Sequence, residues 1–142
     1  MNAYRASEQS TDRTYTLIQV VLAVAGAFYI LTGLALLGVP EWFFQNIGNF
    51  PPFNRHYAGD LGTFTLALGL GLLVAARDPA KHRLLVGVAA LASILHALNH
   101  GYDDLTGASP ATRLLADTLP LLIFGLVLAF AYIAIMRRPQ EI

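Results

Sequence analysis

The chain contains no cysteine. That absence removes disulfide scaffolds, iron–sulfur clusters, thiol redox couples and cysteine nucleophiles. Charge is the second shortage. Only 13% of the 142 residues are Asp, Glu, Lys or Arg, about half the ~25% of an average soluble domain. A soluble fold this small has a large surface for its volume, and 9 basic with 9 acidic side chains do not cover it. Hydrophobic residues make up 56% and mean hydropathy is +0.55, which excludes disorder. The composition describes a protein whose solvent is a lipid bilayer.

The few charges lie in clusters. No Asp, Glu, Lys or Arg occurs from Thr14 to Pro40, Leu61 to Ala76, Leu84 to Tyr102 or Thr118 to Met136. A helix needs about 20 residues, with a range of roughly 17–25, to cross ~30 Å of hydrocarbon. The pattern predicts an all-α fold, a bundle of four transmembrane helices at about 15–38, 57–76, 83–100 and 114–136. These form a membrane domain over 14–138, between tails at 1–13 and 139–142. The Leu/Ala/Gly-rich runs lack the period-2 alternation of barrel strands. Gly38-Val39-Pro40 ends the first helix and Pro51-Pro52 lies in the loop beyond. The first uncharged run is longer than the about 7–15 residues of a signal-peptide core, and no small-x-small cleavage site follows it. It is read as a span.

Basic residues set the expected orientation. Arg5, Arg13, Arg77, Lys81, Arg83, Arg137 and Arg138 fall on one side of the bundle, and only Arg55 and Arg113 on the other. The positive-inside rule then places both termini and the 77–83 turn in the cytoplasm of a multi-pass cell-membrane protein. The acidic residues divide the other way: Glu41, Asp60, Asp103, Asp104 and Asp117 lie at the outer end. The aromatic loop 40–53 is expected there too. It reads either as an interfacial anchor lying flat on the bilayer or as a lid over a site between the helices.

Ionisable groups within spans are rare and mark sites. The second span opens on His56-Tyr57-Ala58-Gly59-Asp60 and the third closes on His96-Ala97-Leu98-Asn99-His100. Each carries two polar groups at i, i+4, one turn apart on one helix face. A short turn joins the two spans, so they form an antiparallel hairpin centred on Asp78. His56 and His100 stand equally far from that centre, as do Asp60 and His96, so each of these pairs shares a depth. Asp117 opens the fourth span at the same end, Asp103 and Asp104 follow the third by about a turn, and Asn54 and Asn99 add polar groups.

If the two faces meet, three imidazoles and a carboxylate converge, a donor set that suits zinc, iron, manganese or copper. His56, Asp60, His96 and His100 are then the candidate metal ligands. Asn54, Asn99, Asp103, Asp104 and Asp117 would orient the rings from behind. The spacing resembles histidine-and-carboxylate sites built inside helical bundles. Depth follows from sequence; rotation of each helix about its axis does not. Two other readings stay open: structural polar packing, with Asp60 held by a histidine or by Arg113, and a proton or ligand site without metal. Two histidines one turn apart on a helix cannot both bind one haem iron axially.

Other residues have simpler readings. His82 in the basic turn meets lipid headgroups. Tyr29, mid-span, hydrogen-bonds within the bundle. Gly26 with Gly33, and Gly62 with Gly69, recur at seven residues and mark close helix contacts. Pro120 is accommodated by its neighbours. No basic patch supports nucleic-acid binding, and no phosphate-cradling glycine loop or serine nucleophile is present.

The stretch Asn54-Arg55-His56-Tyr57-Ala58-Gly59-Asp60-Leu61-Gly62, with His96-x3-His100 downstream, resembles a group of uncharacterised small bacterial four-helix membrane proteins, frequent in actinobacteria. That group reads Asn-x-His-x-x-x-Asp-x-Gly at the outer start of its second helix. A histidine pair follows in the third and an acid early in the fourth. The resemblance implies matching roles for Asn54, His56, Asp60, Gly62, His96, His100 and Asp117. Where the group often has Arg before the aspartate, this chain has Gly59. More loosely, the layout is similar to the DoxX-like superfamily, some of whose members serve quinone-linked oxidation. Three functional classes remain in view. One is a metal-dependent or redox membrane protein using His56, Asp60, His96 and His100. Another is a non-enzymatic accessory or scaffold subunit, as a homo-oligomer or in a larger membrane complex. The third is a carrier or sensor of protons or a small lipophile.

Overall fold

The structure, a computed structural model, describes residues 2–107 and 113–137, with side chains from Arg13 onward. The side chains of Arg5, Glu8 and Asp12, along with Arg138, Glu141 and the 139–142 tail, lie outside what is described. Helix α1 runs over Asn2–Gly38, α2 over Pro40–Asn46, α3 over Arg55–Arg77 and α4 over Arg83–Thr106. A π-helical turn at Leu114–Thr118 leads into α5 at Leu119–Met136. No strand occurs among the described residues. Four stretches are long and apolar enough to cross a membrane: Arg13–Gly38, Arg55–Arg77, Arg83–Thr106 and Leu114–Met136. Only 22–28% of an apolar 18-residue segment within each stretch is buried inside the protein. Phe64, Leu115 and Phe130 point outward with 72–74% of their surface exposed. Exposing one such side chain to water forgoes about 1.5–3 kcal/mol, whereas lipid imposes no such penalty. The exterior is that of an all-helical membrane protein.

Local chemistry explains the element boundaries. Pro40 starts α2 in the first turn, where its missing N–H is not needed. The Asn54 side chain caps α3 by accepting from the backbone N–H of His56 at 2.9 Å and of Tyr57 at 3.2 Å. Asp78 organises the α3–α4 turn: Oδ1 accepts from the Lys81 N–H at 3.1 Å and the Tyr15 hydroxyl at 3.4 Å. Gly107 ends α4 at φ 79°, its N–H donating to the Asp103 carbonyl, a left-handed cap that favours glycine. Asp103 and Asp104 therefore lie in the last turns of α4, beyond the expected helix end near residue 100. The π-turn traces to Pro120, which has no N–H to donate and crowds the carbonyl four residues back, that of Ala116. The chain widens instead, and the Leu119 N–H reaches back five residues to the Leu114 carbonyl.

Packing is organised in two pairs. In α1–α3, glycines bring the backbones into contact: a Cβ on Gly26 would stand 2.9 Å from the Gly69 carbonyl oxygen, and one on Gly33 2.8 Å from that of Gly62. In α4–α5, Gly125 lies against Ile94 and Gly87 against the Tyr132 ring. The pairs share one core, built from Ile18, Leu22, Ala25, Leu72, Ala75, Val86, Ala89, Ala90, Leu128, Ala131 and Ile135. All of these lie in the half nearer the 78–82 turn, here the basic end. At the boundary of that core the Tyr29 hydroxyl meets Ser93 Oγ at 2.6 Å, beside the Phe124 ring, 5.3 Å from that of Tyr29. Toward the other, histidine end, Leu36 and Ala97 are the remaining buried hydrophobic side chains among the described residues.

Candidate functional site

Helical periodicity brings each expected i, i+4 pair together. His56 Nε2 lies 3.4 Å from Asp60 Oδ2 on α3. On α4 the His96 and His100 rings are 4.7 Å apart, centroid to centroid. Both pairs sit at the end remote from the α3–α4 turn. They do not merge into one cluster. The buried face of α3 is Gly62, Thr65, Gly69, Leu72 and Ala75, held against α1 by the glycine contacts. Asp60 precedes Gly62 by two residues, hence by about 200° at ~3.6 residues per turn, and points away from the bundle. The His56 and Asp60 side chains are accordingly 79% and 57% exposed. Among the described residues, no three His, Asp or Glu side chains are placed to hold a metal ion. The four-residue ligand set expected from the depth argument thus divides into an outward-facing pair on α3 and a separate pair on α4.

The α4 pair has different surroundings. His96 and His100 follow Ser93 by three and seven residues, continuing the face that meets Tyr29. His96 is exposed and His100 half-buried. The Phe50 ring stands edge-to-face with His100, centroids 5.1 Å apart at 84°. The Arg113 guanidinium lies over that same Phe50 ring, 4.8 Å from its centroid. Arg113 Nη1 also approaches Asp117 Oδ2 at 3.7 Å, an i, i+4 pair across the π-turn. Nη1 is buried and makes no hydrogen bond. Nearby, the Thr118 hydroxyl donates to Asp104 Oδ2 at 2.6 Å, tying the end of α4 to the start of the last span. The result is a run of contacts from Arg113 through Phe50 to His100 and His96, joining the 47–54 loop, α4 and the π-turn.

The expected supporting residues have specific occupations. Asn54 spends its side-chain oxygen on the α3 cap. Asp104 is bonded to Thr118 and Asp117 is paired with Arg113. The Asp103 carbonyl caps α4, and Asn99 is exposed. Asp60 is paired with His56, the histidine alternative to Arg113. Sequence reasoning missed Phe50 as the link between Arg113 and His100. The Arg113-x3-Asp117 spacing was a visible signal for that ion pair. In the loop, Trp42 and Ile47 are 53% and 55% exposed, while the Phe50 ring contacts His100 and Arg113.

Four apolar helices, a core at one end and a stacked polar cluster at the other define a helical, multi-pass type of membrane protein. The sequence family described as Family of unknown function (DUF6632) matches residues 12–140, and the chain belongs to it. No curated protein and no solved structure matches the chain, so the looser DoxX-like resemblance gains no support there.

Proposed function

We propose that this protein is a proton-responsive membrane receptor for a small anionic group, with His96, His100 and Arg113 as recognition elements and Phe50 as their cover. The observation that carries this reading is the continuous run Arg113–Phe50–His100–His96. Imidazoles gain charge between about pH 8 and pH 5. Two of them side by side repel once both are charged, and a bound anion relieves that repulsion. Arg113 contributes a fixed cation and, at Nη1, a donor without a hydrogen bond. With the basic end in the cytoplasm of the cell, the cluster faces outward. No reaction step is assigned.

The test uses Trp42, the single tryptophan, in the helix leading into the loop. Its emission in lipid nanodiscs is expected to change through the histidine range, and the change to vanish in the His96→Ala/His100→Ala double variant. Octanoate is expected to move the midpoint upward in the native chain but not in Arg113→Gln. Identical titrations for the native chain and the double variant would sink the proposal.

A second reading is favoured by one observation, the side-by-side His96 and His100 rings. Two imidazoles one helical turn apart chelate a divalent ion such as zinc or copper, with iron and manganese weaker. No carboxylate from the described residues completes that set. Elemental analysis separates the readings: stoichiometric metal retained in His56→Ala and lost in His100→Ala would favour the ion over the anion.

A further inference from the structure

We propose that the end of the bundle around the α3–α4 turn is a docking surface for anionic phospholipid, whose headgroup phosphates seat among Arg13, Arg77, Lys81, Arg83 and Arg137. The two ends of the protein treat their cations differently. At the histidine end each has a partner within the chain: Arg55 Nη2 donates to the Leu37 carbonyl at 3.3 Å, and Arg113 is held by Asp117 and the Phe50 ring. At the basic end, none of the five cationic side chains has an ion pair or hydrogen bond among the described residues. The acid described there, Asp78, is already engaged, its Oδ1 accepting from the Lys81 backbone N–H at 3.1 Å and the Tyr15 hydroxyl at 3.4 Å.

Depth and charge together identify the occupant. Helix α3 has 23 residues, about 34 Å at ~1.5 Å each, against ~30 Å of hydrocarbon. Arginines stand at both of its ends, Arg55 and Arg77, so Arg77 lies at headgroup level. Every span brings charge to that level, close to the last layer of the dry core. Arg13 precedes buried Ile18, Arg77 follows Ala75, Arg83 precedes Val86 and Arg137 follows Ile135. Arg13, Arg77, Lys81 and Arg137 are exposed and Arg83 is half-buried. Cations gathered in this way repel one another, and an anion among them relieves the repulsion.

Phosphate suits this donor set: guanidinium groups bind it through paired N–H donors, and Lys81 adds a point charge. Basic clusters at the ends of spans attract anionic headgroups for the same reason. A phospholipid also has what a free phosphate lacks, acyl chains that lie along apolar side chains directly beside the cations. Leu84, next to Arg83, is 73% exposed and Met136, next to Arg137, 49% exposed. This surface shares no residue with the His96–Arg113 cluster and lies at the opposite end, so its success or failure is separable from the receptor proposal.

The full chain in mild detergent is titrated with dioleoyl phosphatidylglycerol or dioleoyl phosphatidylcholine, and bound lipid is counted by native mass spectrometry. Phosphatidylglycerol is expected to bind more tightly, by a margin that shrinks as salt is raised. A cation near an anionic surface is worth about fivefold in binding, so Arg77→Gln/Lys81→Gln/Arg83→Gln is expected to cut that margin roughly tenfold or more. Arg77→Lys/Arg83→Lys keeps the charge and is expected to keep the margin, which separates lost charge from lost folding. Arg55→Gln, at the other end, is expected to leave it intact. Equal binding of the two lipids, an undiminished margin in the triple variant, or its loss in the lysine variant or in Arg55→Gln overturns the proposal. Thermal unfolding in the same detergent tests the lipid against a soluble anion. Stabilisation by phosphatidylglycerol but not by inorganic phosphate at equal concentration is expected, and equal stabilisation by both overturns phospholipid as the occupant.

Discussion

Substituting Gly69 by alanine isolates the contact that sets the orientation of α3. A Cβ at this position would lie 2.8 Å from the Gly26 carbonyl oxygen, 2.8 Å from the Ile30 backbone nitrogen and 2.8 Å from Ile30 Cγ1. Two of those atoms are backbone and cannot rotate away. Ordinary contact begins at 3.4 Å, so α1 and α3 must separate locally by about 0.6 Å. A radial gap of ~0.5–1 Å forfeits about a quarter to a half of each dispersion well along the opened seam. Overpacking of this kind costs about 1–3 kcal/mol, less the roughly 0.5–1 kcal/mol that alanine gains over glycine inside a helix. The net expectation is a loss of ~1–2 kcal/mol. Gly38→Ala provides the contrast, because nothing lies within 4 Å of a Cβ there, and its expected change is zero to a slight gain. Reversible unfolding in mixed micelles, followed by steric trapping or urea, gives both values. If Gly69→Ala is as stable as Gly38→Ala, the claim that backbone contact locks α3 against α1 is wrong. A further consequence concerns the facing glycine. Gly26→Ala opens the same seam, so the Gly26→Ala/Gly69→Ala double variant should lose less than the sum of the singles, as neighbouring sites do.

Ser93→Ala removes the partner of the Tyr29 hydroxyl and is expected to cost about 0.5–1.5 kcal/mol, while Tyr29→Phe/Ser93→Ala should recover part of it; unfolding of the three variants measures this. Asn54→Ala uncaps α3, with an expected loss of about 1 kcal/mol and faster amide exchange at His56 and Tyr57. Pro120→Ala supplies the missing N–H and should let the Leu114–Thr118 turn tighten to an α-turn, visible as a protected amide at position 120 and a changed Arg113–Asp117 distance.

What could be read from sequence divides along a physical line. Span existence and approximate length depend on one coordinate, distance along the membrane normal, and uncharged runs report that coordinate directly. The depth match expected of His56 with His100 and of Asp60 with His96 uses that same coordinate, whereas the side-by-side placement of His96 and His100 follows from the period of a single helix. Azimuth is different, because it depends on which face each helix gives to its neighbour. That signal was nonetheless present. Gly62 and Gly69 marked the α1-facing side of α3, and counting two residues back from Gly62 already turns Asp60 by about 200° away from it. The glycines, read as packing, and the acid–base pair, read as a ligand set, as polar packing or as a proton site, become connected only through that count. Phe50 was beyond such counting, because it sits in an irregular loop where no period relates position to direction. Its placement over His100 and under Arg113 depends on the π-turn, itself the consequence of one proline whose ring displaces a carbonyl. A single backbone defect at Pro120 thus decides where Arg113 and Asp117 stand. The polar cluster is therefore a property of the start of the last span as much as of the histidines, and Pro120→Ala should perturb it without touching any of the charged residues.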